Sequence, residues 1–125
     1  MSEPGAVLVV EDDESLRQII VELLRCEGYA VAEASNGREA LEQLPRTHPL
    51  VVILDLMMPV MDGPTFLEHK LSDPSFALTP VVIFSSHSAP DIRHKPGVVS
   101  VIKKPDGLEE LLDTLRTMKP ALAAV

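Results

Sequence analysis

The stretch LVVILDLMMPVMDG, residues 50–63, decides how this sequence folds. Its first five residues are apolar, which is typical of a strand buried on both faces of a parallel sheet. Asp55 follows at once, and Asp62 and Gly63 end the stretch with a turn signal. An unpaired carboxylate inside an apolar segment is costly. Asp55 is therefore expected where the strand leaves the core. The question is whether the reason for a carboxylate at this position is structural or chemical.

Apolar runs alternate with helical patterns along the rest of the chain. Strands are predicted at residues 6–10, 29–34, 50–54, 81–84 and 98–102, the second of them nearest an edge. Helices are predicted from the polar residues 12–15 to Gly28, around 40–44 with a stop at Pro45, over 64–71, and from a cap at Asp106 to about Met118. This alternation indicates parallel βαβ units, hence an open α/β sheet with helices on both faces.

One interval departs from the alternation. Between residues 84 and 98 the chain reads SSHSAPDIRHKPG, with prolines at 90 and 96 and little apolar periodicity. Proline interrupts a helix interior. We therefore expect at most one or two helical turns where the fourth crossover helix would lie.

Composition limits the function classes. The 125 residues suit a single domain, residues 1–125, with a core of about 6–118 and a weakly structured tail at 119–125. A net charge of −8 argues against nucleic-acid binding. The single cysteine, Cys26, favours a reducing compartment, and no apolar run reaches the roughly 20 residues of a membrane span. A cytoplasmic protein that binds neither DNA nor membranes is expected.

Polar residues follow the strand ends, where an open α/β sheet places its ligand site. They are Glu11, Asp12 and Asp13 after the first strand, Asp55 after the third, Ser85 and Ser86 after the fourth, and Lys103 and Lys104 after the fifth. Clustered carboxylates repel one another, and Mg²⁺, which prefers oxygen ligands, would remove that repulsion. A lysine opposite the ion would complete a clamp for a phosphoryl group, which Asp55 could attack.

Four segments together resemble the receiver domain of two-component response regulators, in particular the single-domain chemotaxis regulators. They are VLVVEDDES at 7–15, VVILDLMMPVMDG at 51–63, PVVIFSS at 80–86 and VIKKP at 101–105. The resemblance extends over about residues 6–118. It implies a flavodoxin-like (βα)5 fold, a doubly wound five-stranded parallel sheet of strand order 2-1-3-4-5, here with an atypical, shortened fourth helix region.

The resemblance also implies roles for individual residues. Asp55 would be the phosphoacceptor and a Mg²⁺ ligand, beside the ligands Glu11, Asp12 and the backbone carbonyl of Met57. Ser85 would be the switch hydroxyl, and Lys104 would contact the phosphoryl group, with a cis bond between Lys104 and Pro105. His87 and the Met57 side chain would flank the site and tune how long the phosphoryl group persists.

Several nearby residues have simpler interpretations. Asp13 is expected to cap the first helix, and Asp62 to belong to a turn. Lys103 should point away from Lys104 into solvent, because neighbours on a strand face opposite sides. The four histidines (48, 69, 87 and 94) show no ligand spacing and are expected at the surface, and Met57, Met58 and Met61 are expected to pack.

Two features depart from the family pattern. Val101 stands where an aromatic residue usually couples to the switch hydroxyl. The segment between Ser85 and Lys104 is also shorter than usual and carries Pro90 and Pro96 where the fourth helix belongs, a helix that is part of the family's main output face. The phosphorylation chemistry is therefore expected to be intact, while its transmission is altered.

The leading hypothesis is a signalling switch, not a metabolic enzyme. It would accept its phosphoryl group from a sensor histidine kinase or phosphotransfer protein and then bind a downstream protein target. A pseudo-receiver that binds partners without switching is the alternative, which the degraded fourth helix favours. An aspartate-based phosphohydrolase would need a second Asp where Met57 stands.

Overall fold

A computed structural model of the chain describes residues 5–87, 91–104 and 107–123, with side chains in the last range as far as Met118. These described residues form five strands and four α-helices. The strands are β1 (Val7–Val10), β2 (Val31–Ala34), β3 (Val51–Leu54), β4 (Val81–Ser85) and β5 (Val98–Lys103), and the helices are α1 (Glu14–Cys26), α2 (Gly37–Thr47), α3 (Gly63–Ser72) and α4 (Leu108–Ala123).

The five strands form one parallel sheet in the order β2-β1-β3-β4-β5. This is the strand order predicted for a flavodoxin-like fold. Every residue of β1, β3 and β4 is buried, because helices cover both faces of the sheet. One face packs against α2 and α3 through residues such as Leu8 and Phe66, and the other packs against α1 and α4 through residues such as Val9 and Leu115.

Helix α1 begins and ends as its sequence predicts. The Asp13 side chain accepts a hydrogen bond from the backbone N–H of Leu16 at 3.0 Å, so it caps the helix. Gly28 follows the last turn with a φ of 93°, a left-handed conformation that favours glycine. The strand that follows, β2, is half-buried and lies at the sheet edge, as expected.

Two helices extend further than the sequence predicts. Helix α2 runs through Pro45 to Thr47, and α4 runs to Ala123, so the expected stop at Pro45 is wrong and residues 119–123 are helical. A proline removes its own N–H from the helical ladder and its ring crowds the carbonyl four residues earlier, but it leaves the N–H groups that follow free to bond. In α2 the next bonds still form, since the N–H of His48 donates to the Leu44 carbonyl at 2.9 Å. The predicted cap Asp106 lies outside the described residues.

The interval between β4 and β5 holds only a short 3₁₀ turn, Ile92–His94, in its described part. Ile92 is buried against the α2 and α3 side of the core. The shortened fourth helix region is thereby confirmed, although residues 88–90 lie outside the description. None of the described helices has the length and apolar character to cross a membrane.

Candidate functional site

Three charged side chains meet at the carboxyl edge of the sheet. Glu11, Asp55 and Lys104 directly follow β1, β3 and β5. Strands β1 and β3 are paired in register up to Val10 and Leu54, so the residues after them are neighbours. A cleft of about 500 Å³ opens over this edge; Asp12, Met57, Phe84, Ser86 and His87 are among its other lining residues.

Asp55 lies at the mouth of the sheet rather than within the core. Its side chain is only 7% exposed, yet both of its oxygens have partners. Oδ1 accepts a hydrogen bond from the backbone N–H of Leu56 at 2.8 Å, and Oδ2 lies 3.2 Å from Nζ of Lys104. The carboxylate is therefore tolerated at the end of an apolar strand because it is paired and adjoins a cleft.

Lys104 links the two buried carboxylates. Its ammonium forms ion pairs with Glu11 and Asp55 and lies 5.7 Å from the ring centroid of Phe84. Burial alone would lower the pKa of Lys104, but the hydrogen bond that its ammonium donates to Glu11 and the charges of both carboxylates raise that pKa above its ordinary value. Lys104 is therefore a fixed positive charge at this edge.

Opposing effects act on the carboxylate of Glu11. Burial raises the pKa of Glu11, the hydrogen bonds from Lys104 and from the backbone N–H of Asp13 oppose that effect, and the charge of Asp55 adds to it. The carboxylate oxygen Oε2 accepts that Asp13 bond at 3.1 Å. A second positive charge near Glu11 and Asp55 would relieve their repulsion.

The donor set at this edge suits a hard divalent cation. Glu11, Asp12 and Asp55 each offer a carboxylate oxygen, and these atoms lie within 4.8 Å of one another. Oxygen ligands from one or two carboxylates and several waters are what Mg²⁺ prefers in proteins. Asp12 is exposed while the other two residues are buried, so the cluster is open to solvent on one side and could keep waters on an ion.

Met57 lies exposed beside the cleft, whereas Ser85 is buried. The Met57 side chain is 56% exposed beside the cleft, so the expectation that it packs in the interior is wrong. Ser85 is buried, and its hydroxyl accepts a hydrogen bond from the backbone N–H of His87 at 3.2 Å. The roles of the Met57 carbonyl and the Ser85 hydroxyl remain predictions.

The simpler interpretations of neighbouring residues agree with the structure. Asp62 caps α3 by accepting a bond from the N–H of Thr65 at 2.9 Å. Lys103 and all four histidines are exposed. Val101 is half-buried and packs against the α2 and α3 side of the core. The bond between Lys104 and Pro105 lies outside the described residues.

Gly63 is a site residue that the sequence signalled only as part of a turn. A Cβ at this position would lie 2.5 Å from the Asp55 carbonyl oxygen and 2.9 Å from Cα of Leu56. The Gly63 N–H donates to the Leu56 carbonyl at 3.0 Å. The start of α3 therefore closes directly onto the backbone of Asp55, which only glycine permits.

Known proteins share this fold and sequence pattern. A profile of the response regulator receiver domain matches residues 7–116. Protein PilG of Pseudomonas aeruginosa is 30% identical over 122 residues, covering 95% of this chain and 90% of that protein. A protein-glutamate methylesterase/protein-glutamine glutaminase of Myxococcus xanthus is 34% identical over 133 residues, but this chain covers only 37% of it.

A solved structure is similar to this chain over most of its length. The chemotaxis protein CheY4 of Vibrio cholerae matches with a TM-score of 0.81 at 32% identity, covering 91% of this chain and 98% of that one. The profile match includes each of Glu11, Asp12, Asp55 and Lys104. The chain therefore belongs to the receiver domain family of two-component response regulators.

Proposed function

We propose that this domain is a phosphorylation-dependent signalling switch that accepts a phosphoryl group on Asp55. The ion-paired cluster at the strand ends supports this most directly, because Lys104 contacts both Glu11 and Asp55. Phosphoryl transfer depends mainly on positioning and on charge stabilisation. The carboxylates and the lysine that line this cleft provide both.

Asp55 is the nucleophile in this proposal. The Leu56 N–H fixes Oδ1 at 2.8 Å, which orients the carboxylate. A carboxylate oxygen attacks the phosphorus of a phosphohistidine in line, so that a P–O bond forms while the P–N bond breaks. The bonding electron pair leaves with the imidazole, which takes up a proton. Lys104 then binds a phosphoryl oxygen in place of the bare carboxylate.

Glu11, Asp12 and Asp55 would hold Mg²⁺, together with the Met57 carbonyl. The close approach of the three carboxylates supports this assignment, since their oxygens lie within 4.8 Å. When bound, the ion supplies positive charge that offsets the charge of the carboxylates and of the phosphoryl oxygens.

Ser85 would transmit the phosphorylation of Asp55 to the loop after β4. Its hydroxyl oxygen accepts a bond from the His87 N–H, while its own O–H remains able to donate. A phosphoryl group on Asp55 would offer a charged acceptor for that O–H, and the loop after β4 would shift population as the hydroxyl turned toward it. His87 and Met57 lie at the cleft, where they would set the access of water to the phosphoryl group.

The proposed partners follow from this chemistry. A sensor histidine kinase or phosphotransfer protein would donate the phosphoryl group, and a downstream protein would recognise the switched state without DNA or membrane binding by this chain. We regard residues 1–125 as one receiver domain that assists only its own phosphorylation and dephosphorylation. The exposed thiol of Cys26 suits the reducing cytoplasm.

One observation favours the alternative of a pseudo-receiver that does not switch. In place of a fourth helix, the described chain between β4 and β5 has a single 3₁₀ turn, Ile92–His94. A fold that lacks a movable helix there would transmit less of the change at Asp55. Such a protein would bind its partners equally well with and without phosphorylation.

Beryllofluoride, a phosphoryl mimic, separates the two functions. Amide spectra of ¹⁵N-labelled protein should change around Asp55, Ser85 and Lys104 when Mg²⁺ and beryllofluoride are added together, and the changes should extend along β4 and β5. Asp55→Asn should abolish them. Changes confined to the site would favour the pseudo-receiver, and an unchanged spectrum would exclude the switch.

A further inference from the structure

Arg17, in the first turns of α1, reaches back to the end of β1. Its guanidinium Nη1 donates a hydrogen bond to the main-chain carbonyl of Glu11 at 2.8 Å. The side chain is only 14% exposed, so this bond is shielded from water. Neither the apolar pattern nor the family motifs of the sequence single out this residue.

The hydrogen bond from Arg17 lies just beyond the last hydrogen bonds of the sheet. The last ladder contacts at this edge are the N–H of Glu11 on the Ala34 carbonyl, at 3.0 Å, and the N–H of Asp55 on the Val10 carbonyl, at 3.1 Å. The next carbonyl, that of Glu11, belongs to the peptide that joins Glu11 to Asp12. Arg17 therefore fixes the peptide plane from which both acidic side chains project.

A second contact orients the guanidinium. Its Nε lies 3.0 Å from Oε1 of Glu33 on β2, and the same oxygen accepts a bond from the Gln18 amide at 2.7 Å. A guanidinium presents its donors in a rigid plane, so fixing Nε on one partner also fixes the direction of Nη1. A lysine could satisfy either Glu33 or the carbonyl, but not both in this geometry.

We propose that Arg17 is a positioning residue for the acidic ligands: held by Glu33, it sets the direction of Glu11 and Asp12 and thereby raises the affinity of the cleft for Mg²⁺. The inference rests on the proposed function, because it concerns the same ion. It adds a chain of contacts from the edge strand β2 to the site. Removing a residue that hydrogen-bonds to metal ligands commonly lowers the metal affinity by about 10–100-fold.

The test is a Mg²⁺ titration of ¹⁵N-labelled protein, followed through the amide shifts of residues near the cleft. Arg17→Met should weaken Mg²⁺ binding about tenfold or more, and Arg17→Lys should weaken it less. Arg116→Met is the matched control, because Arg116 also forms ion pairs, with Glu27 and Asp113, but on the exposed side of α4. It should bind Mg²⁺ as the wild type does.

Urea unfolding of each variant separates positioning from stability. If Arg17→Met does not fold, Glu33→Gln takes its place, because it leaves Arg17 present but removes the charge that orients it. Wild-type affinity in the folded Arg17 or Glu33 variant, or an equal loss in Arg116→Met, would overturn the role of Arg17. If the wild type itself bound no Mg²⁺, the proposed metal site would fail and this inference with it.

Discussion

Lys70 provides a sharp test of how this fold tolerates charge, at a position away from the proposed site. Its side chain is fully buried near the end of α3. The ammonium donates to the Ala77 carbonyl at 3.1 Å, and among the described residues no carboxylate forms an ion pair with it. Burial lowers the pKa of Lys70 from 10.5 to about 8.

The direction of the pH effect follows from that difference. Between pH 8 and 10.5 the unfolded chain binds the Lys70 proton more tightly than the folded chain does, so wild-type stability should rise with pH across this window. Below pH 8 the buried charge costs about 3 kcal/mol. Lys70→Met fills similar space without charge but loses one hydrogen bond, which is worth about 1 kcal/mol.

We therefore expect Lys70→Met to be about 2 kcal/mol more stable than the wild type at pH 7 and to lose this advantage by about pH 10. The assay is urea unfolding followed by far-UV circular dichroism at several pH values. Lys95→Met is the matched control, because Lys95 is exposed, and it should differ little from the wild type at any pH. A Lys70→Met variant that is less stable at pH 7, or whose difference from wild type is flat with pH, would refute the reasoning.

Two further substitutions test the local structure around the site. Gly63→Ala should destabilise the fold by about 1–3 kcal/mol in urea unfolding, because its Cβ would displace the Asp55 backbone. The same displacement should slow phosphorylation by acetyl phosphate. An unchanged stability would contradict the tight contact between Gly63 and Asp55. Asp13→Ala should cost about 1 kcal/mol through loss of the α1 cap, whereas Asp13→Asn should cost only a fraction of that. Equal losses in the two Asp13 variants would contradict the capping role.

The strand pattern and the strand-end residues could be predicted because they depend on local sequence. Apolar runs without alternation indicate buried parallel strands, and the residue after each run must lie at one sheet edge, which brings Glu11, Asp55 and Lys104 together. The strand order alone does not give the pairing of Lys104 with both carboxylates, because β3 and β4 separate β5 from β1.

The remaining features depend on tertiary contacts that no local pattern encodes. Pro45 was expected to end α2, but the following turn still bonds to Leu44 and the helix continues. The need for Gly63 arises from a backbone approach to Asp55 across the loop. Arg17 acts through a carbonyl six residues away in sequence. In each case the decisive partner is known only once the chain has folded.

The central claim is that Asp55 is the phosphoacceptor, and covalent labelling tests it most directly. Wild-type protein incubated with acetyl phosphate and Mg²⁺ should gain one phosphoryl group, measured by intact mass, and the label should be lost in Asp55→Asn. Asp62→Asn is the matched control, because Asp62 lies in the same loop and caps α3, a role that asparagine also fills. It should be labelled like the wild type. Equal labelling of Asp55→Asn and wild type would contradict the account.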